Sequence, residues 1–292
     1  MLGFVNVFKV AGPTSAQVVA RVRRLYALYA DDRDLAAGHL GTLDPQAGGV
    51  LPVAIGKATR LIPLLPVQSK RYACTIVFGR TTTTQDALGE TVSEAEVPGD
   101  WRERLARAIA QFTGSIEQIP PMFSAVHHEG RRLYEIARAG ERVVRKPRTV
   151  EIASLEVLGT DEGAPVARLR VTCGEGTYVR TLCEDLGAAM GVPAHMGALV
   201  REASGPFELR DALTIEQIAA DPRAAVVAPE SVIPFPTIVL DLRGSADFRA
   251  GRAVPMPLAP ASKHVFVRDE SRALVGVGEA HGALLAPRKV FV

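Results

Sequence analysis

Between Ala164 and Gly191 the chain changes its hydrophobic period across one short turn. The stretch "APVARLRVTC" alternates, with Ala167, Leu169, Val171 and Cys173 on one side and Arg168, Arg170 and Thr172 on the other. A period of two marks a half-buried strand, because successive side chains point to opposite faces. After "GEG", the stretch "TYVRTLCEDLGAAMG" spaces Val179, Leu182, Cys183 and Leu186 as one apolar helical face. Arg180 lies near the first turn of that helix and off its apolar face. A guanidinium is thus expected at the mouth of a strand–turn–helix junction, and a purely helical or purely β fold is excluded.

The other elements follow from the same signals. "TSAQVVARVRRLYAL" opens with hydroxyl caps at Thr14 and Ser15, and Val18, Val19, Val22, Leu25 and Tyr26 recur at helical spacing. "RYACTIVFG", Arg71 to Gly79, is rich in β-formers and reads as a strand. In "DWRERLARAIAQFTG", Asp100 is the expected cap and Glu103 completes a capping box. Leu105, Ile109 and Phe112 share a face there, and Gly114 is expected to close the helix. The proline-rich run "DPRAAVVAPESVIPFP", 221–236, reads as a linker or domain boundary. Beyond it, "TIVLDL", "HVFVRD", "ALVGVGEA" and "ALLAPRKVFV" are short β-like runs. They suggest a β-rich unit of about 55 residues, near the lower limit for independent stability. The expected fold class is α+β, a larger body with a compact β appendage.

A chain of 292 residues with 47% hydrophobic content allows one large or two modest domains. Polar residues or prolines interrupt every long apolar run, so no membrane span is expected. The start lacks the pattern of a signal peptide. Three cysteines, Cys74, Cys173 and Cys183, form no CxxC pair, which argues against a disulfide framework or zinc ribbon. A soluble cytoplasmic protein is the expectation. Net charge is only +2, but 127–148, "HHEGRRLYEIARAGERVVRKPR", carries seven Lys/Arg against three Glu, so the remainder is net negative. Positive charge concentrated beside aromatic and imidazole rings fits a phosphate-backbone footprint; a solvated helical face fits it equally.

"GHLGTLDPQAGGVLP" holds Asp44, the sole carboxylate between Asp34 and Asp86. Pro45 pushes Asp44 toward extended geometry, and Gly41, Gly48 and Gly49 permit tight backbone paths. Such a carboxylate can be a nucleophile, a base or an acceptor; spacing alone favours a turn aspartate bonded to its own backbone. Gly56-Lys57 is no phosphate loop, since Leu51 replaces the first glycine and Ala58 the Ser/Thr. The six histidines show no metal-ligand spacing, and no GxSxG or GxGxxG is present. Tyr72 can stack on a base and Arg180 can pair with a carboxylate, though each has an ordinary structural reading.

Taken in order, these stretches resemble the bacterial tRNA pseudouridine-55 synthase family (TruB) along nearly the whole chain. "GHLGTLDPQAGGVLPVAIGKATRL" is similar to the family's GHxGxLDPxAxGxLPxxxGxATK segment. "KRYACTIVFGRTTTTQDALGE" resembles KxYxxxxxxGxxTxTxDxxG, and "CGEGTYVRTLCEDLG" resembles CxxGTYIRxLxxDLG. "AHMGALVREASGPF" is similar to AHxxxLxRxxxGxF. One departure stands at the N-terminus, where "KVAGPTS" has Val10 in place of the family's proline.

The resemblance implies a mixed/antiparallel-sheet pseudouridine synthase catalytic domain over 1–230. It also implies an RNA-clamping insertion at about 124–150 and a small PUA-like RNA-binding domain over 237–292. Asp44, Arg180 and Tyr72 are the implied catalytic residues; His39, Leu199, Lys9, Arg131 and Arg132 are implied substrate contacts. The implied reaction flips uridine-55 out of the T-arm stem-loop of tRNA and rejoins its base through C5, with Asp44 acting at C6 of the uracil or C1′ of the ribose. Tyr72 would stack on the base and could assist proton removal from C5, and Arg180 would keep Asp44 ionised; if Arg180 is exposed in a cleft, Arg180→Ala is expected to lose activity with little change in fold. No cofactor, metal or membrane partner is expected, and a monomer is. The rival reading is a non-catalytic RNA-binding protein or tRNA-folding chaperone.

Overall fold

A computed structural model describes residues 1–65, 69–124, 126–256 and 262–291. Residue 125 of the expected insertion and residues 257–261 and 292 of the expected tail lie outside these. The body is a nine-stranded mixed sheet. Its main path runs Leu2–Lys9, Gly48–Gly56, Ala194–Ser204, Lys70–Phe78, Val166–Cys173, Arg148–Thr160 and Gly114–Gln118. Ala37–His39 joins the Gly48–Gly56 strand and Phe207–Glu208 joins Ala194–Ser204. Every pairing is antiparallel except Ala194–Ser204 beside Gly48–Gly56. The alternation read in 166–173 is present: Ala167, Leu169, Val171 and Cys173 are buried. Among the described residues, no helix is long and apolar enough to cross a membrane.

Among the described residues, the three longest helices share one core with this sheet. Ser15–Tyr29 contributes Val18, Val22 and Tyr26, Trp101–Ile109 contributes Trp101 and Leu105, and Val179–Met190 contributes Leu182, Cys183 and Leu186. Thr14 caps the first of them, its hydroxyl accepting from Gln17 N at 3.1 Å. The second departs from expectation. Asp100 makes no side-chain cap; its carboxylate instead accepts from Arg104 Nε at 2.9 Å, the ion pair outcompeting the backbone amide. Nor does Gly114 close that helix. It ends at Ile109 in a 3-10 turn, and Gly114 opens the next strand.

The Gly48–Gly56 strand explains how body and tail are joined. Its seven interior residues are all buried, because both faces are covered. Leu51, Val53 and Ile55 meet the helices, while Val50 and Ala54 meet a second core. That core unites Phe4, Leu61 and Phe207 of the body with Ile233, Phe266, Val277 and Phe291. The tail is a five-stranded sheet in the order Thr237–Val239, His264–Arg268, Leu274–His281, Leu284–Val290, Val254–Pro255. Phe266 points at the body, whereas its neighbours Val265 and Val267 fill the tail's own core. The helix Leu242–Arg249 went unread in the sequence; Asp241 caps it by accepting from Gly244 N at 2.6 Å.

The stretch 221–236 is therefore no loose linker. Phe4 and Val227 exchange backbone hydrogen bonds at 2.9 and 2.8 Å, and Ala225 and Ile233 are buried. Its prolines set the path, but the apolar residues between them dock on the sheet edge. In the insertion, His127–His128 and Arg131–Arg132 form a hairpin leading to the helix Leu133–Arg138, which buries Leu133 and Ile136.

A shared core makes the tail's stability inseparable from the body's. Phe266→Ala should cost about 3–5 kcal/mol. It should lower one common unfolding transition followed by circular dichroism, rather than melt the tail alone.

Candidate active site

The loop that carries Asp44 is clasped from the N-terminal stretch "KVAGPTS". Lys9 is buried, and its ammonium donates to the carbonyls of Val10 (3.2 Å), Asp44 (3.1 Å), Pro45 (3.0 Å) and Ala47 (2.6 Å). Burial brings its pKa down to about 8, with the Asp44 charge acting in the opposite sense. Gly12 N donates to Pro45 O at 2.8 Å; the Ser15 hydroxyl donates to Leu43 O and accepts from Leu43 N, both at 2.8 Å. Gly49 closes the loop with φ of +104°, where an added Cβ would meet Arg201 O at 2.2 Å. Val10, at the point of departure from the family pattern, is 54% exposed and takes no part through its side chain.

Arg180 faces this loop from the start of its helix. It is only 4% exposed. Nη2 lies 2.9 Å from Asp44 Oδ2 and donates to Phe123 O at 2.8 Å, while Nη1 donates to Thr84 O at 3.0 Å. Nε lies 3.9 Å from Asp86 Oδ2. Asp86 is buried and held in turn by Thr84 Oγ1 (2.6 Å), Leu88 N (3.0 Å) and Gln46 Nε2 (2.5 Å). Gln118 fixes the start of the helix: Tyr178 N donates to its side-chain oxygen at 3.0 Å.

Asp44, Arg180, Tyr72 and Leu199 line one cavity of about 240 Å³, together with Lys70, Ser124 and the turn Gly174–Tyr178. Tyr72 and Leu199 come from adjacent strands, one registered against the other two positions away, Leu199 opposite Cys74. Asp44, Ser124 and Arg180 also border a neighbouring cavity of about 540 Å³ that opens past His39, Arg132, Tyr134 and Arg138. Asp44 thus sits where the two cavities meet, its side chain 35% exposed.

Residues 31–179 match the family model described as TruB family pseudouridylate synthase (N terminal domain). Residues 180–228 match that of the tRNA pseudouridylate synthase B C-terminal domain. The chain belongs to the TruB family of pseudouridylate synthases. Curated relatives named tRNA pseudouridine synthase B include one from Heliobacterium modesticaldum, 41% identical over 99% of this chain and 95% of its own. Another, from Trichormus variabilis, is 38% identical over 100% and 99%. Among solved structures, a chain of a Cbf5–Nop10–Gar1 complex superposes with a TM-score of 0.70 at 28% identity, over 99% of this chain and 85% of that one. The body has the pseudouridine synthase fold.

Several expected site residues of this TruB-family chain lie elsewhere than the sequence suggested. Lys9, expected as a substrate contact, is buried, with its ammonium turned to the loop's own carbonyls. Arg180 is not exposed in a cleft; two carboxylates and two carbonyls enclose it. Arg131 is exposed, borders neither cavity and pairs with Glu141 at 3.3 Å. Arg132 does border the larger cavity. His39 is half-buried there, its Nδ1 without a partner among the described residues; burial and then Arg201 lower its pKa, which favours the neutral imidazole. Arg145 turns inward and donates to Pro120 O at 3.0 Å.

Two participants went unassigned. Asp86 carried no signal beyond its place in "TTTTQDALGE". Arg201 did: it alternates with Leu199 and Ala203 and so falls on their buried face. Its guanidinium donates to Val50 O (2.7 Å), Gly41 O (3.0 Å) and Thr42 O (3.4 Å).

Removing the guanidinium would strand buried acceptors on three segments. Arg180→Ala should therefore lower stability by about 3–5 kcal/mol in denaturant unfolding, besides its effect on turnover.

Proposed function

We propose that this protein isomerises uridine-55 in the T loop of tRNA to pseudouridine, with Asp44 as the group that acts on the nucleotide. One observation carries this reading. Asp44 is the reachable carboxylate of the cavity, held by an enclosed guanidinium at the meeting point of a small pocket and a wider groove. The reaction breaks C1′–N1, turns the base and forms C1′–C5; C5 loses a proton and N1 gains one. No electron or group is supplied from outside, so the side chains lining the cavity suffice. The base occupies the smaller cavity and the flanking strand runs through the larger one. Asp44 then faces the sugar–base junction, where it adds to C6 or engages C1′.

Tyr72 offers a ring face and Leu199 an apolar wall. Burial raises the Tyr72 pKa, Arg201 acting against it, so the phenol is protonated. That favours stacking over proton removal from C5. His39 and Arg132 flank the strand. Flipping the base costs a few kcal/mol, which phosphate contacts from the insertion 124–150 offset.

The finer assignments belong to the same proposal. The catalytic domain covers 1–230 and a PUA-like RNA-binding domain covers 237–292, a division supported by the tail's separate five-stranded sheet. The protein acts as a monomer on the T-arm stem-loop. Three buried free thiols fit the reducing cytoplasm.

With an unmodified T-arm stem-loop, the protein should form pseudouridine. Asp44→Asn should reduce the single-turnover rate about 10³-fold or more, the scale of losing an acting group. RNA affinity by filter binding should be unchanged, because the substitution is nearly isosteric; product from Asp44→Asn at the normal rate would sink the assignment.

Affinity should fall with salt. Arg132→Ala should lower the slope of log K against log salt by about one. Arg131→Ala, whose charge is shared with Glu141, should lower it less.

A further inference from the structure

Four cations lie at or near the smaller cavity, and three of them are held by close acceptors. Lys9 donates to four carbonyls, Arg201 to three, and Arg180 to Asp44 and two carbonyls. Lys70 differs. It lines the cavity beside Asp44, Tyr72 and Leu199, and its side chain is 13% exposed. Its one partner among the described residues is the Glu175 carboxylate, 3.8 Å away, beyond ordinary hydrogen-bond length and itself 57% exposed. The ammonium lies over Gly41 of the Asp44 loop: a Cβ built there would come within 3.6 Å of Nζ. A largely desolvated charge without close acceptors is costly and is relieved by any acceptor that enters.

We propose that Lys70 is a further catalytic residue, donating a hydrogen bond to a carbonyl oxygen of the flipped uracil and stabilising the negative charge that develops there. The proposal rests on the base occupying this cavity. Both routes open to Asp44 need such a donor. Addition to C6 moves the C5–C6 π pair toward C4 and its oxygen. Heterolysis of C1′–N1 leaves the pair on N1, delocalised onto O2 and O4. When C1′–C5 forms, that charge returns to the new bond, the C5 proton departs and N1 is protonated. Lys70 stays an ammonium throughout and transfers no proton. Its effect falls on the transition state, since the neutral base in the ground state offers a weaker acceptor.

The test uses the full chain and T-arm stem-loops. Lys70→Ala should lower the saturating single-turnover rate by about 10²-fold while RNA affinity stays within about threefold, as for loss of one charge-stabilising donor. Propylammonium should restore part of that rate, which a purely structural role would not allow. In the wild type, 2-thiouridine or 4-thiouridine at the target should slow turnover, because sulfur accepts poorly, and Lys70→Ala should erase the penalty. A wild-type saturating rate in Lys70→Ala, or a loss confined to affinity, overturns the proposal. If Lys70→Ala fails to fold by circular dichroism, the wild-type thio substrates decide: equal rates for uridine and both thio-uridines overturn it. Absence of any product from the wild type would instead overturn the parent reading, so the two failures are distinct.

Discussion

The Arg180 guanidinium is the contact on which the rest of the site depends. A buried cation is tolerated only when acceptors surround it, and here they come from three segments far apart in sequence. Asp44 lies on the loop between the Ala37–His39 and Gly48–Gly56 strands, Thr84 and Asp86 on a turn that follows the Lys70–Phe78 strand, and Phe123 at the base of the insertion. One planar fork therefore fixes the reacting carboxylate, the turn that supports it and the root of the arm beside the groove. Low dielectric strengthens each of these contacts, and geometry is what the fork adds over a point charge.

Around that fork, the body spends other long cations on main-chain carbonyls. Lys9 and Arg201 both clasp the Gly41–Ala47 loop, one from the edge strand and one from the sheet interior. Loops carry carbonyls that no ladder satisfies, so a buried ammonium and a buried guanidinium satisfy them and are satisfied in return. The loop can then hold a carboxylate at a cavity mouth without secondary structure of its own. Rigid support of this kind keeps a reacting group within small fractions of an ångström of its working position.

The doubly covered Gly48–Gly56 strand extends that rigidity outward. Helices bury one face and the tail's aromatic residues the other, so the strand following the Asp44 loop has no exposed side on which to shift. Tail and body meet through Phe266 and Phe4 rather than through a hinge. A small sheet that would be marginal alone thereby draws on the larger core.

Much of this was legible before any coordinates. The period of two in 166–173, the helical spacing after Thr14 and after Gly176, and the isolated Asp44 each follow from local rules, because apolar patterning reports which side of an element faces inward. The tail's strands were legible for the same reason. Patterning fails where a polar side chain turns inward, since its charge is answered by segments remote in sequence: Lys9 by Ala47, Arg180 by Thr84, Arg201 by Gly41. Asp100 misled because Arg104 competed for its carboxylate, and the 221–236 run because its apolar residues have a docking edge that only the assembled sheet supplies. The sequence by itself determined the main strands and helices of the body, the family and the candidate carboxylate. Only the tertiary structure decided which cations scaffold carbonyls hold and which one, Lys70, lines the cavity with Glu175 as its one partner among the described residues, because hydrogen-bond satisfaction of a buried charge depends on distant acceptors that no local pattern records.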